Sequence, residues 1–324
     1  MTARMDMTTK MTPEQCAEWF VERDNFLILT HIRPDGDTIG SAAALCLGLR
    51  DIGKTAYLYD NPQITDKYRP YFDPYAASAQ VGFRPDFTVS VDTASTNMLP
   101  EGFTGAVDLS IDHHTSNSYY AAETFVRGNR SSCGEMVYEL LRTMAVPIDK
   151  EIANLLYIAV SSDTGCFSYG NTTAFTLRAA SELVALGADS TTLNKLFFRT
   201  ATPARIALEG MVYSSISLHQ DGKIAAALIT LEMTERAKAT EADFEDIANL
   251  PGRIEGVCIS ITVRETAPLS SKVSVRTYGG VNANAICAKF GGGGHPGAAG
   301  CNLEGCTPEE AVLKLVDAAA EELL

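Results

Sequence analysis

Positive charge is scarce in this chain. The 26 lysines and arginines stand against 40 aspartates and glutamates, for a formal net charge of -14 at pH 7. A protein that coats long nucleic acid draws its affinity from lysine and arginine on phosphates, so this balance excludes that class. It does not exclude a small phosphorylated ligand, because bound metal ions can supply positive charge locally. Paired cysteines are missing as well. The eight, at 16, 46, 133, 166, 258, 287, 301 and 306, include no CxxC spacing. That argues against a structural zinc site and leaves free thiols in a reducing compartment as the simplest reading. No apolar run approaches the roughly 20 residues of a membrane span. The N-terminal MTARMDMTTKMTPEQ has no apolar core of signal-peptide length. A cytoplasmic protein with no membrane partner is therefore expected. Internal repeats and long low-complexity tracts are also lacking.

What is present is an ordinary soluble composition, 46% hydrophobic and 20% charged, over 324 residues. That length suggests two domains. Thr12 to Val21 reads as a capped amphipathic helix, with Thr12, Pro13 and Gln15 suited to its first turn. Phe26–Thr30, Ala56–Tyr59, Phe87–Val91 and Val107–Ile111 read as strands. Helical patterns cover Thr38–Leu49, which Gly53 would end, and recur at about 133–145, 151–162 and 173–187. Alternating strands and helices predict an α/β fold: a mostly parallel sheet flanked by helices, then a smaller C-terminal α/β domain. The boundaries expected are 1–190 for the first domain, 191–210 for a partly helical linker and 211–324 for the second.

The five histidines are unevenly placed, and four lie in short polar motifs. His31 stands with Asp35 and Asp37 in HIRPDGDTIGS, where Pro34 and Gly36 favour a tight loop and Thr38 is a candidate helix N-cap. Imidazole with carboxylate suits Mn²⁺, Zn²⁺ or Fe²⁺. Asp92 follows the strand FTVSV, and on its own it reads equally as a cap for the next helix. Asp112, His113 and His114 follow VDLSI. Adjacent imidazoles point in different directions, so one can bind metal while the other faces substrate, with Asp112 orienting a ring. Asp163, after NLLYIAVSS, is either a buried cap or a ligand. In GGGGHPGAAG, backbone N–H groups such as those of Gly293 and Gly294 could cradle an anion, with His295 as a further donor. Arg264 in ITVRE and Arg276 in VSVRT are candidate phosphate clamps or exposed strand arginines. Ser131 and Ser132 either cap a helix or donate to phosphate.

In order, HIRPDGDTIGS, VDTAS, IDHH and SSDTGCF resemble the four motifs of the DHH phosphoesterases, and GGGGHPGAAG resembles the terminal motif of their DHH-associated second domain. The resemblance covers roughly residues 10–324. The short chain is similar to the NrnA-type bacterial subfamily, which degrades very short RNA and dephosphorylates phosphoadenosine phosphate (pAp). Some relatives hydrolyse cyclic dinucleotides. The resemblance implies two Mn²⁺ per subunit, with Mg²⁺ or Co²⁺ as substitutes. His31, Asp35 and Asp92 would hold one; Asp37, Asp92, His113 and Asp163 would hold the other, with Asp92 bridging. His114 would contact the scissile phosphate, while Arg276, Gly293, Gly294 and His295 would bind a terminal phosphate or nucleotide. It also suggests a homodimer, and a second domain that closes over substrate about a hinge near 190–210. Three other readings compete: a cyclic or linear dinucleotide phosphodiesterase, an inorganic pyrophosphatase, and a nucleotide sensor that has lost catalysis.

Overall fold

A computed structural model of the protein describes residues 9–79, 82–244 and 246–323. The chain divides into two compact units between Thr200 and Ala201. In the first unit, strands β1 (Thr9–Lys10), β2 (Phe26–Leu29), β3 (Ala56–Leu58), β4 (Phe87–Val91), β5 (Leu109–Asp112) and β6 (Glu123–Val126) form one sheet in the order β1-β6-β5-β4-β2-β3. Every pairing in it is parallel. Its helices are α1 (Pro13–Val21), α2 (Gly36–Asp51), α3 (Arg69–Phe72), α4 (Cys133–Thr143), α5 (Lys150–Asp163), α6 (Ala174–Ala185) and α7 (Ser190–Phe198).

The central strands are covered on both faces: β2 is apolar throughout, while β4 and β5 carry buried Ser90 and Ser110 on the face of Leu29. Phe26 and Ile28 join Val89, Val91, Leu109 and Ile111 in a core shared with α1, α2, α4 and α5. Leu27 and Leu29 face the other way, into a smaller cluster with Val107 and Ala121. After β2 the chain moves one place outward to β3, then returns to the opposite side of β2 as β4. The strand order therefore reverses between β2 and β4. Ligands of open α/β sheets gather at such a point, beyond the strand C-termini.

Helix α2 begins two residues earlier than expected. Its N-cap is Asp35, whose side chain accepts from the N–H groups of Asp37 and Thr38. Thr38 is not the cap. Its hydroxyl donates to the Val91 carbonyl (2.9 Å), tying the start of α2 to the end of β4. Gly53 does follow the helix, with φ +80. Gly36 and Gly40, four residues apart, form a flat strip against α5. A Cβ at Gly40 would lie 2.3 Å from the Leu155 carbonyl oxygen, and one at Gly36 1.9 Å from Ser162 Oγ. This close packing brings Asp163, at the end of α5, near Asp37. Backbone cannot yield as a flexible side chain can. Gly40→Val is therefore expected to destabilise the protein by about 1–3 kcal/mol or more, read by denaturant unfolding. A wild-type midpoint would refute the packing argument.

In the second unit, β7 (Ser217–His219), β8 (Ile224–Ile229), β9 (Ile259–Ala267), β10 (Ser270–Thr277), β11 (Gly293–His295) and β12 (Ala298–Glu304) form a mixed sheet ordered β11-β12-β10-β9-β8-β7. Only β8 and β9 pair in parallel. Helices α8 (Pro203–Ser215), α9 (Leu231–Ala237), α10 (Ala283–Ala288) and α11 (Pro308–Ala320) complete it. The segment expected as a linker, 191–210, is divided between the two units. Leu193 and Phe197 of α7 are buried in the first core, and Leu208 and Val212 of α8 in a cluster of the second. Each stripe of apolar side chains pulls its own helix into a unit.

Candidate metal centre

Three adjacent strands, β5, β4 and β2, end at one edge of the first sheet. Beyond β2 the chain gives His31 and Asp35, beyond β4 Asp92, and at the end of β5 Asp112, His113 and His114. Asp37 arrives on the first turn of α2 and Asp163 on the last residue of α5. Residues far apart in sequence thus meet at the reversal of strand order.

Asp92 sits at the centre. Its Oδ2 lies 3.6 Å from His31 Nε2 and its Oδ1 3.4 Å from His113 Nε2. His31 Nε2 is also 3.6 Å from Asp35 Oδ1. His113 Nε2 is 3.1 Å from Asp163 Oδ2 and 3.8 Å from Asp37 Oδ2. Two donor clusters, His31–Asp35–Asp92 and Asp37–His113–Asp163, are therefore joined through the two oxygens of one carboxylate. Asp92 holds a left-handed backbone, φ +60, with its N–H bonded to the Ile111 carbonyl (2.9 Å). Such a conformation costs a non-glycine residue on the order of 1 kcal/mol and marks places where position matters more than strain.

The rings are aimed by their other nitrogens. His31 Nδ1 lies 2.7 Å from the Ile32 carbonyl oxygen and His113 Nδ1 3.2 Å from that of Arg130. A carbonyl only accepts, so each Nδ1 carries a hydrogen and each Nε2 is the atom turned to the carboxylates, where it would give its lone pair to a cation once its own proton is displaced. In His114 the arrangement is the same with a different partner. Its Nδ1 is 2.7 Å from Asp112 Oδ1, which leaves Nε2 directed away from that carboxylate. Asp112 is fully buried, and His114 is more than a third exposed.

Asp37 has no exposed surface, and both its oxygens are gripped by the N-terminus of α4: Oδ2 by Cys133 N–H (2.7 Å), Oδ1 by Gly134 N–H (2.9 Å) and the Ser41 hydroxyl (2.9 Å). Burial, then the charges of Asp92 and Asp163, still push its pKa well above the usual carboxylate range. Burial also raises Asp163. Burial draws the two imidazoles down, but the surrounding aspartates outweigh it and raise His31 to about 9 and His113 to about 12. The cluster therefore draws in positive charge. His113 Nε2, buried and with no acceptor in hydrogen-bonding geometry, faces three carboxylates. Aspartate oxygens plus one imidazole nitrogen per cluster form a donor set that fits divalent Mn, Fe or Zn.

Cys133 was not singled out by the sequence. Its Sγ lies 3.6 Å from Asp92 Oδ1, and burial pushes the thiol far up, so it sits beneath the bridge as a neutral S–H donor. Only its place at the N-terminus of a helix, after a polar loop, could have hinted at it.

Other expected site residues have different roles. Ser132 is the N-cap of α4, accepting from Glu135 N–H, and Ser131 donates to the Asn171 carbonyl (2.7 Å). Both are buried; Ser131 braces the loop beyond Asp163 and Ser132 caps α4, so neither is placed to hold phosphate. Arg264 is already engaged. It forms a two-pronged pair with Glu241 (3.0 and 2.6 Å) and stacks 3.5 Å from the Phe244 ring centre. The glycine-rich motif is a β-hairpin rather than an open loop. The N–H groups of Gly291, Gly292 and Gly294 are taken by the Ala288 and Cys287 carbonyls and by Asn284 Oδ1. Its glycines permit close approach: a Cβ at Gly292 would lie 2.2 Å from the Gly300 carbonyl oxygen. Arg276 and His295 do share a face of this sheet, in register on either side of Ala298. Arg276 donates to the Val275 carbonyl (3.1 Å) and forms no ion pair among the described residues.

The chain matches the N-terminal domain of the DHH family over residues 25–160 and the DHHA1 domain over residues 221–323. It is 34% identical, over 91% of its length and 89% of the relative's, to the Thermus thermophilus protein named bifunctional oligoribonuclease and PAP phosphatase NrnA. The chain belongs to the DHH family. Among solved structures, this DHH protein superposes on an exopolyphosphatase-related protein from Bacteroides fragilis with a TM-score of 0.84 at 26% identity, covering 95% of both chains. It shares the fold of Thermus thermophilus RecJ solved in complex with Mn²⁺, with a TM-score of 0.53 at 14% identity, over 98% of this chain and 56% of RecJ. Among the described residues no helix is long and apolar enough to cross a membrane.

Proposed function

We propose that this DHH protein is a divalent-metal-dependent phosphoesterase that hydrolyses short oligoribonucleotides to mononucleotides and pAp to AMP. The carrying observation is Asp92, whose two oxygens face two separate histidine–carboxylate clusters. His31, Asp35 and Asp92 would hold one cation; Asp37, Asp92, His113 and Asp163 the other. Manganese suits the mixed nitrogen and oxygen donors, with Mg²⁺ or Co²⁺ as substitutes. Two cations so bound would supply Lewis acidity at phosphorus and would make hydroxide available near neutral pH. The chain's own residues do the rest. His114, fixed by Asp112, presents Nε2 to a phosphoryl oxygen, where its hydrogen bond stabilises developing charge. Arg276 and His295 would receive the terminal phosphate of a short substrate. The name of the Thermus relative supports the substrate class, and the convergence of the donor set leaves the sensor reading without support.

The test is an incubation with Mn²⁺ and a panel: pAp, linear and cyclic diadenylate, inorganic pyrophosphate, and RNA from two to about twenty nucleotides. Metal-dependent turnover of pAp and the shortest RNAs is expected. A preference for pyrophosphate or for the longest RNA would refute the reading, and a preference for diadenylate would move it to a dinucleotide phosphodiesterase. Within that assay, Arg276→Ala should raise KM for phosphate-terminated substrates by about tenfold or more, since a hydrogen bond to a charged group contributes ~1.5–3 kcal/mol. Turnover of bis-p-nitrophenyl phosphate, which has no terminal phosphate, should be unchanged. Arg264→Ala should leave KM alone and lower only the melting temperature. An equal KM effect from both variants would overturn the assignment of the phosphate to Arg276.

A further inference from the structure

Asp112 is a buried carboxylate with hydrogen bonds to both oxygens, and one of its donors lies outside the IDHH motif. Its Oδ1 accepts from His114 Nδ1 (2.7 Å) and from the His114 backbone N–H (3.3 Å). Its Oδ2 accepts from Asn117 Nδ2 (2.6 Å). Asn117 is itself almost fully buried, in the turn that follows β5, where its N–H donates to the His114 carbonyl (3.2 Å). The orientation of its amide follows from chemistry. Tyr119 N–H, which can only donate, lies 2.7 Å from Asn117 Oδ1. The amide oxygen must therefore face Tyr119, and the NH₂ must face Asp112. The same NH₂ reaches towards the Thr93 carbonyl (3.4 Å), next to the bridging Asp92.

We propose that Asn117 is a positioning residue of the DHH site, which acts through Asp112 to hold His114. This rests on the phosphoesterase reading. A carboxylate bonded at one oxygen can swing about its Cβ–Cγ bond; bonded at both, it cannot. With Oδ2 pinned by Asn117, Oδ1 stays in line with His114 Nδ1, which holds the ring in one orientation and keeps Nε2 turned towards substrate. His114 needs this restraint more than its neighbours do. It is the most exposed of the three imidazoles at this sheet edge, whereas His31 and His113 are enclosed by several groups. Outer partners of this kind typically contribute about 10–100-fold to activity.

Asn117→Asp is the discriminating change. It keeps size and shape and keeps the oxygen that accepts from Tyr119 N–H, but it replaces the donor facing Asp112 with an acceptor. Were Asn117 only a turn former, this variant would behave as wild type. The expected result on pAp with saturating Mn²⁺ is a fall in kcat of about 10–100-fold. KM should change by less than about twofold and bound metal per chain should be unchanged, as uniform ground-state binding is untouched. In a His114→Ala background the same change should cost nothing further, because the group it positions is gone. Asn117→Ala, which sets no acceptor against Asp112, guards against a misfolded aspartate variant and should show the same dependence on His114. Wild-type kcat in both variants would overturn the inference. So would an equal loss with and without His114, or a loss that tracks reduced metal content. A wild-type protein that turns over no member of the panel refutes the phosphoesterase reading instead, and is told apart by that control.

Discussion

Replacing Asp92 by asparagine should abolish turnover, by at least about a thousandfold, and remove high-affinity binding of both cations. Electrostatic groups of this rank typically contribute 10²–10³ singly, and Asp92 serves two clusters at once. Asparagine is the informative substitution because it tolerates the left-handed backbone that Asp92 adopts, φ +60. Alanine would add a conformational cost of roughly 0.4–1 kcal/mol or more at positive φ. The change has a second signature. Asp92 raises the proton affinity of Asp37 by its charge. Neutralising it should relieve that repulsion while taking a partner from the His31 and His113 rings, so the metal-free variant should melt close to the metal-free wild type and gain nothing from Mn²⁺. Calorimetric Mn²⁺ titration and thermal melts with and without the ion check both halves. Retention of one tight site would refute the bridging role, and retained turnover would refute the site altogether.

Metal binding should also displace protons, with an affinity that rises steeply with pH. Without metal, the surrounding aspartates push His31 up to about 9 and His113 up to about 12. A ligand imidazole must be neutral, so near pH 7.5 loading both clusters should release about two protons, one from each ring. Apparent affinity should then rise roughly tenfold per pH unit for each proton displaced, up to about pH 9 for His31. A histidine whose folded pKa is raised above the unfolded value of about 6.5 contributes stability fully below that pH. That contribution is lost as pH rises through the folded value. Metal-free protein should therefore lose stability from about pH 6.5 to 9, and Asp37, also raised, acts in the same direction from a lower pH. Mn²⁺-loaded protein should not show this decline. Titration calorimetry in buffers of different ionisation enthalpy counts the protons. An affinity flat between pH 6.5 and 8.5 would sink the argument.

Part of this arrangement is legible in the order of residues along the chain. The strands Phe26–Leu29 and Phe87–Val91 are short and rich in apolar or β-branched residues, and the polar His31 and Asp92 stand just past their ends, because a covered strand leaves its polar neighbours at its terminus. The helix after Thr12 announces itself by its cap, and the structure shows the full reciprocal capping box with Gln15. The second sheet is legible only in part. Lys272–Arg276 reads as a strand, but the hairpin of β11 and β12 does not, since GGGGHPGAAG has no alternation of apolar and polar residues. Its pairing depends on strands already in place. Arg264 and Arg276 look alike in sequence, and only the location of Glu241 distinguishes them.

The sequence by itself determined the chemical inventory: which imidazoles and carboxylates are available, that they stand at element ends, and that the chain builds two α/β units. Those properties are local, set by hydrophobic pattern, caps and turns within a few residues. Tertiary structure alone decided that β4 returns beside β2, which places Asp92 between His31 and His113, and that two glycines on α2 admit α5 close enough to deliver Asp163. It also decided that the N-terminus of α4 clasps Asp37, that Ser131 braces a loop while Ser132 caps α4, and that Asn117 stands behind Asp112. Each of these depends on which surfaces pack together across tens of residues, and that is settled by burial summed over the whole core rather than by any segment's own preference.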